Sequence, residues 1–170
     1  MTKTPTVQGA ARARTSPPVA TALAVNIKSV QVGVNNSETN LTYAAEDALD
    51  LEMPTRVLSL IEANDWLAII AEAEGVDPPL VFRSKMSEGT EALALSTEWC
   101  IAVRDSKPTQ LLLLHEMAHL LCVNKNHGNE FRTELIRLTR RYVSLLHAVA
   151  LHRMFVFNDL TTGPIAATTK

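Results

Sequence analysis

Five consecutive residues, His115-Glu116-Met117-Ala118-His119, restrict this chain's fold more than any other stretch. Their spacing makes chemical sense on an α-helix. Residues four apart on a helix lie one above the other, about 6 Å along the axis. Two imidazoles so placed can converge on one divalent metal, at roughly 2.0–2.1 Å each for zinc. The intervening glutamate sits about 100° round the helix from the first histidine. It can therefore act on a water beside the metal without ligating the metal itself. The flanks point to burial: Leu111 through Leu114 run into His115, and Leu120 and Leu121 follow His119. A buried helix whose two histidines merely hydrogen-bond is the plain alternative. It leaves Glu116 and a third histidine, His127, without a role.

Capping residues bound this helix. Asp105 or Ser106 can cap its start, with Pro108 in the first turn. Asn124 and Asn126-His127-Gly128 supply turn-forming residues at its end. A second helical pattern begins at Asn129 or Glu130. A hairpin of two helices returns its turn toward the first, so His127 is the leading third ligand. Glu130 and Glu134 are alternatives that would supply a carboxylate from the second helix. Cys122 lies three residues after His119 on roughly the same face and is a formal candidate, although a small buried hydrophobe describes it better.

The chain has 170 residues, a net charge of −2 and two cysteines, Cys100 and Cys122. That length suits one domain with a real core. The charge offers no general attraction to nucleic acid or membranes. Two cysteines make no disulfide framework and suit a reducing compartment. No apolar run is long enough to span a bilayer, and Pro17-Pro18 interrupts the stretch where a signal peptide would need its apolar region. The sequence reads as cytoplasmic.

Residues 1–40 read as a flexible N-terminal tail with a possible strand over residues 24–34, residues 41–158 as the folded domain, and residues 159–170 as a flexible C-terminal tail. Tyr43 to Leu49 is helix-prone, and the acidic run from Glu46 to Glu52 reads as a solvated face. Pro54 opens a helix carrying Val57, Leu58 and Ile61, and Asp65 caps a further short helix that stops at Gly75. Asp77-Pro78-Pro79 is a turn. Leu80–Phe82, Ala92–Leu95 and Glu98–Val103 read as strands of a small antiparallel meander, with Glu98–Val103 as the edge beside the helix. Beyond His127, Phe131, Leu135, Leu138 and Tyr142 recur at helical spacing as core positions. Arg132, Arg137, Arg140 and Arg141 fall on the polar side, where solvation is the expected role. Ser144 caps a last helix, and His147 and His152, five apart, read as packing or surface residues.

With these residues placed, the chain resembles the HEXXH-motif metallohydrolases of actinobacteria and their phages. The shared features are Tyr43-Ala44-Ala45-Glu46-Asp47, the strand-then-helix lead into His115-Glu116-Met117-Ala118-His119, and His127-Gly128-Asn129-Glu130-Phe131. More distantly, the last motif is similar to the His-Gly-x-x-Phe/Trp element of SprT-like and other minimal zincin peptidases. The resemblance covers roughly residues 41–155. It implies an α+β, zincin-like fold: a small antiparallel sheet packed on the HExxH helix, with helices following. It also implies Zn²⁺ held by His115, His119 and His127, with Glu116 as the base. The expected function is a zinc-dependent metallohydrolase acting on a peptide or protein, with Tyr142, His147 and Arg140 as candidate oxyanion donors. A non-catalytic, zinc-stabilised binding or regulatory protein is the alternative, although a structural zinc site needs no base. A nucleic-acid binder using the arginine-bearing helix is a third reading, which the acidic net charge opposes.

Overall fold

The computed structural model describes residues 37–123 and 126–165. Its elements are α1 (Ser37–Glu52), α2 (Leu60–Glu74), β1 (Leu80–Arg83), β2 (Ala92–Leu95), β3 (Cys100–Val103), α3 (Gln110–Leu121), α4 (Asn129–Tyr142) and α5 (Leu145–Phe157). The α+β class expected from the sequence is observed. The strand considered for residues 24–34 lies outside the described residues.

The sheet is mixed, not an antiparallel meander. Its order is β1-β3-β2, with β1 parallel and β2 antiparallel to β3. Cys100–Val103 is therefore the central strand, and all four of its residues are buried. Glu98 and Trp99 belong to the preceding turn instead of the strand. Trp99 takes a left-handed φ of 51° and its indole N–H donates to the Asp77 carbonyl at 2.5 Å. The two outer strands meet different fates. On β1, the Asn64 side chain donates to Val81 O at 3.0 Å and accepts from Val81 N at 2.9 Å, so α2 covers that edge. The edge of β2 faces the cleft described below.

One helix, α2, replaces the two short ones expected after Pro54. Ser59 caps it, accepting from Glu62 N, while the Glu62 carboxylate accepts from Ser59 N in a capping box. Gly75 ends it in the left-handed region, φ 71°, as glycine does at minimal steric cost. Residues 54–59 are extended for a different purpose. They run beside the start of α3, with Leu58 N donating to Pro108 O and Gln110 N to Arg56 O. The true cap of α3 is Thr109, which accepts from Leu112 N, and Thr55 Oγ1 accepts from Leu111 N at 3.1 Å. The N–H groups of Gln110, Leu111 and Leu112, three of the donors a helix start leaves unpaired, are thereby satisfied.

The core gathers around α3. It packs against β2 and β3 on one side and α4 on the other, while α5 lies on α4 and α1. Leu111, Leu113, Leu114, Met117 and Ala118 of α3 are at most 1% exposed. Ser144 caps α5 as expected, accepting from His147 N. The segment after α5 is packed where a loose tail was expected: Leu160 is buried and Gly163 N donates to Thr133 Oγ1 at 2.7 Å. Among the described residues no helix is long and apolar enough to cross a membrane.

Candidate metal centre

The two histidines of α3 and His127, which lies just before α4, meet at one point. His127 Nε2 lies 3.0 Å from His115 Nε2 and 3.1 Å from His119 Nε2. His127 Nε2 carries either one proton or one lone pair, so it cannot hydrogen-bond to both partners at once. Tetrahedral coordination at 2.0–2.1 Å would set nitrogens about 3.3 Å apart, close to the separations seen. The three residues could hold a metal ion, and they form the one such group among the described residues.

The surroundings set the protonation of the triad. The Glu46 carboxylate, on α1, lies 2.8 Å from His115 Nδ1, and both groups are buried. Burial opposes a charge on His115, but Glu46 outweighs it and raises the imidazole pKa. In the neutral ring, the form a metal would select, this contact holds the proton on Nδ1 and leaves Nε2 as a lone pair aimed at the cluster. Burial, helped by the neighbouring imidazole, lowers His119 to about 2 and His127 to about 3, so both are neutral. Neutral imidazole is the form that ligates a metal. Phe131 forms the floor, its ring centroid 4.8, 4.4 and 4.8 Å from those of His115, His119 and His127.

Glu116 is buried beside the triad and is not one of the converging ligands. Burial raises its pKa, against the opposing pull of His115 and a hydrogen bond from the backbone N–H of Ala94 on β2. Tyr43 covers the other side. Its ring stacks on His115 at 5.3 Å with a 17° interplanar angle, and lies 4.8 Å from His127. Burial and the nearby charges of Glu116 and Glu46 push its phenol up to about 12. A cleft of about 1280 Å³ opens over these groups, walled by β2 and by Tyr43, Glu46, Asp47 and Asp50 of α1.

The rival ligands lie elsewhere. Glu134 is engaged by Arg137 at 2.7 and 2.8 Å, and Glu130 is exposed. Cys122 is the C-cap of α3, and burial pushes its thiol up to about 11. The oxyanion candidates proposed from sequence are not in the cleft either. Tyr142 Oη donates to Glu74 at 2.5 Å, His147 Nδ1 sits 2.7 Å from Ser144 Oγ, and Arg140 does not line the cleft. Nor does α4 present a solvated arginine face. Arg132 is fully buried, while Arg137 and Arg141 hold Glu74 at 2.6 and 3.0 Å.

Two residues of the site, Tyr43 and Glu46, escaped the reading by pattern, which put Glu46 on a solvated face. The signal was the Tyr43-Ala44-Ala45-Glu46-Asp47 element. The small Ala45 beside Glu46 is fully buried, and Glu46 reaches from α1 to His115 of α3 at 2.8 Å. Comparison with protein-family models, with curated proteins and with solved structures returned no match.

Proposed function

We propose that this chain is a zinc-dependent hydrolase that cleaves peptide bonds, with His115, His119 and His127 holding the metal and Glu116 as general base. One observation carries the reading. Three inward-facing imidazole nitrogens share a cleft floor with a buried carboxylate that is free of them. Three histidines with a fourth position open to solvent suit catalytic zinc. Zinc held there supplies a Lewis acid that polarises a carbonyl and lowers the pKa of a water toward 7.

The chain's own groups carry the proton chemistry. Glu116, with its pKa raised by burial, is suited to take a proton from water and return it to a departing amine. Tyr43 stays protonated at neutral pH and lines the cleft, so its hydroxyl can donate to an oxygen gaining negative charge. Apart from the Ala94 N–H, which donates to Glu116, the outer edge of β2 offers main-chain groups to an extended peptide. A small sheet presenting an edge strand beside the HExxH helix is what a zincin-like fold would need, and it supports kinship with the HEXXH-motif metallohydrolases. A purely structural metal site fills its fourth position from the protein and has no use for a buried glutamate beside it.

The test joins composition to activity. Elemental analysis should find one zinc per chain in the parent and in Glu116→Gln, and far less in His115→Ala and His127→Ala. On casein or a mixed peptide library the parent should turn over, and Glu116→Gln should lose roughly 10²–10⁴ in rate. Equal turnover by both zinc-loaded proteins refutes the role of Glu116. A parent that binds no metal refutes the site.

A further inference from the structure

We propose that residues 160–163 form a strap that fixes the third histidine through Arg132, which makes Arg132 a positioning residue for the metal centre. The proposal rests on the metal reading above. His115 and His119 are held by the hydrogen-bond ladder of α3, whereas His127 precedes α4, whose N-cap Gly128 has no side chain to brace the turn. The brace comes instead from Arg132, one turn into α4. Its Nη1 donates to the His127 carbonyl at 2.5 Å. Its Nε donates to the Thr161 carbonyl at 2.9 Å and its Nη2 to Thr161 Oγ1 at 3.3 Å. Glu38, in the first turn of α1, stands 3.7 Å from Nη2 and balances the charge.

A fully buried arginine is uncommon and costly unless its donors are met. Here one guanidinium joins residues 38, 127 and 161, so its position depends on all three segments at once. The strap is itself built in. Leu160 is 4% exposed, and Gly163 N donates to Thr133 Oγ1 at 2.7 Å. A Cβ on Gly163 would come within 2.8 Å of Thr133 Cγ2. Thr133 cannot swing aside without cost, because its hydroxyl also donates to the Asn129 carbonyl at 2.7 Å. If the strap shifts, the guanidinium loses two of its acceptors and the His127 carbonyl loses its fixed donor.

Two substitutions in the full chain test this. Arg132→Met keeps apolar bulk and leaves no buried charge behind, while Gly163→Ala displaces the strap and leaves Arg132 intact. Leu151→Ala is the control, since Leu151 is a fully buried core residue of α5 and takes part in none of the network's hydrogen bonds or ion pairs. Apo melting is measured first. Co²⁺ binding is then read by its d–d absorption, and Zn²⁺ affinity by competition with a chromophoric chelator, below the melting range of every variant. Arg132→Met should weaken metal affinity by about 10- to 100-fold, the usual effect of losing a group that orients a ligand. Gly163→Ala should weaken it several-fold and change the Co²⁺ spectrum in the same direction. Leu151→Ala should lower apo melting and leave affinity within twofold of the parent. Affinities of Arg132→Met and Gly163→Ala within twofold of the parent overturn the strap while the metal reading stands. Should Arg132→Met fail to fold, Gly163→Ala decides by the same criterion. A parent that binds neither ion overturns the metal reading and the strap with it.

Discussion

Glu46→Gln separates the electrostatic contribution of the metal site from its shape. Glu46 Oε2 lies 2.8 Å from His115 Nδ1, with the histidine side chain 3% and the glutamate side chain 10% exposed. Glutamine is nearly isosteric, and its carbonyl oxygen can accept the same hydrogen bond. The Nδ1–H tautomer and the aim of Nε2 should therefore survive. What disappears is the negative charge that makes Nε2 a stronger donor to a cation. Removing such a partner from a ligating histidine typically costs 10- to 100-fold in metal affinity, or about 1.4–2.7 kcal/mol. The metal-free protein should change much less. The other oxygen, Oε1, is buried with no hydrogen-bond partner, so the substitution removes a poorly solvated charge and sets a neutral amide NH2 in its place, two changes of opposite sign. Zinc affinity by chelator competition and apo thermal melting, run side by side, should show a weaker site in an equally stable fold. An unchanged zinc affinity would sink the argument. So would a fall in apo stability large enough to account for the lost affinity.

Two further outcomes follow from other contacts. Tyr43→Phe should keep zinc and cut turnover by about 10²–10³, since the ring stays stacked on His115 while the hydroxyl donor is lost; unchanged kcat on a cleaved peptide would remove Tyr43 from the mechanism. Glu74 is buried enough to raise its pKa, but Arg137, Tyr142 and Arg141 outweigh this and hold it below its usual 4.5. A carboxylate with a lowered folded pKa contributes stability that is present above its unfolded value and is lost as pH falls through the folded one. Glu74→Gln should thus destabilise the protein by about 1–3 kcal/mol at pH 7. The gap from the parent should close as the pH drops well below 4.5, and urea melts showing a constant gap would contradict this.

The parts of the fold legible in the sequence are those governed by local chemistry. The α3 helix, the stop at Gly75, the strand Ala92–Leu95, the Ser144 cap and the start of α4 at Asn129 all follow from periodicity or capping within a few residues. The errors have a common cause: partners distant in the chain. Pro54 looked like a helix start because proline favours a first turn, yet residues 54–59 pair with Pro108 to Gln110. β3 reads as an edge because it leads directly into the HExxH helix, yet β1 pairs with it in parallel on one side and β2 antiparallel on the other. Arg132 looked solvated because arginines usually are, yet acceptors from residues 127 and 161 make its burial tolerable.

The same distinction applies to the centre itself. The His115-to-His119 spacing sets two nitrogens on one helix face, and that much is local. Everything that would make those nitrogens useful comes from elsewhere. Glu46 of α1 orients His115, Ala94 of β2 holds the Glu116 carboxylate, and Arg132 of α4 holds the backbone of the third histidine. A chance HExxH on a buried helix would have the first property and none of the others. The convergence of three separate elements on the polar atoms around one pentapeptide is therefore stronger support for a metal centre than the pentapeptide alone. A metal ion that needs all of these elements at once would bind the folded chain alone, so saturating zinc should raise the parent's melting temperature above that of the apo protein.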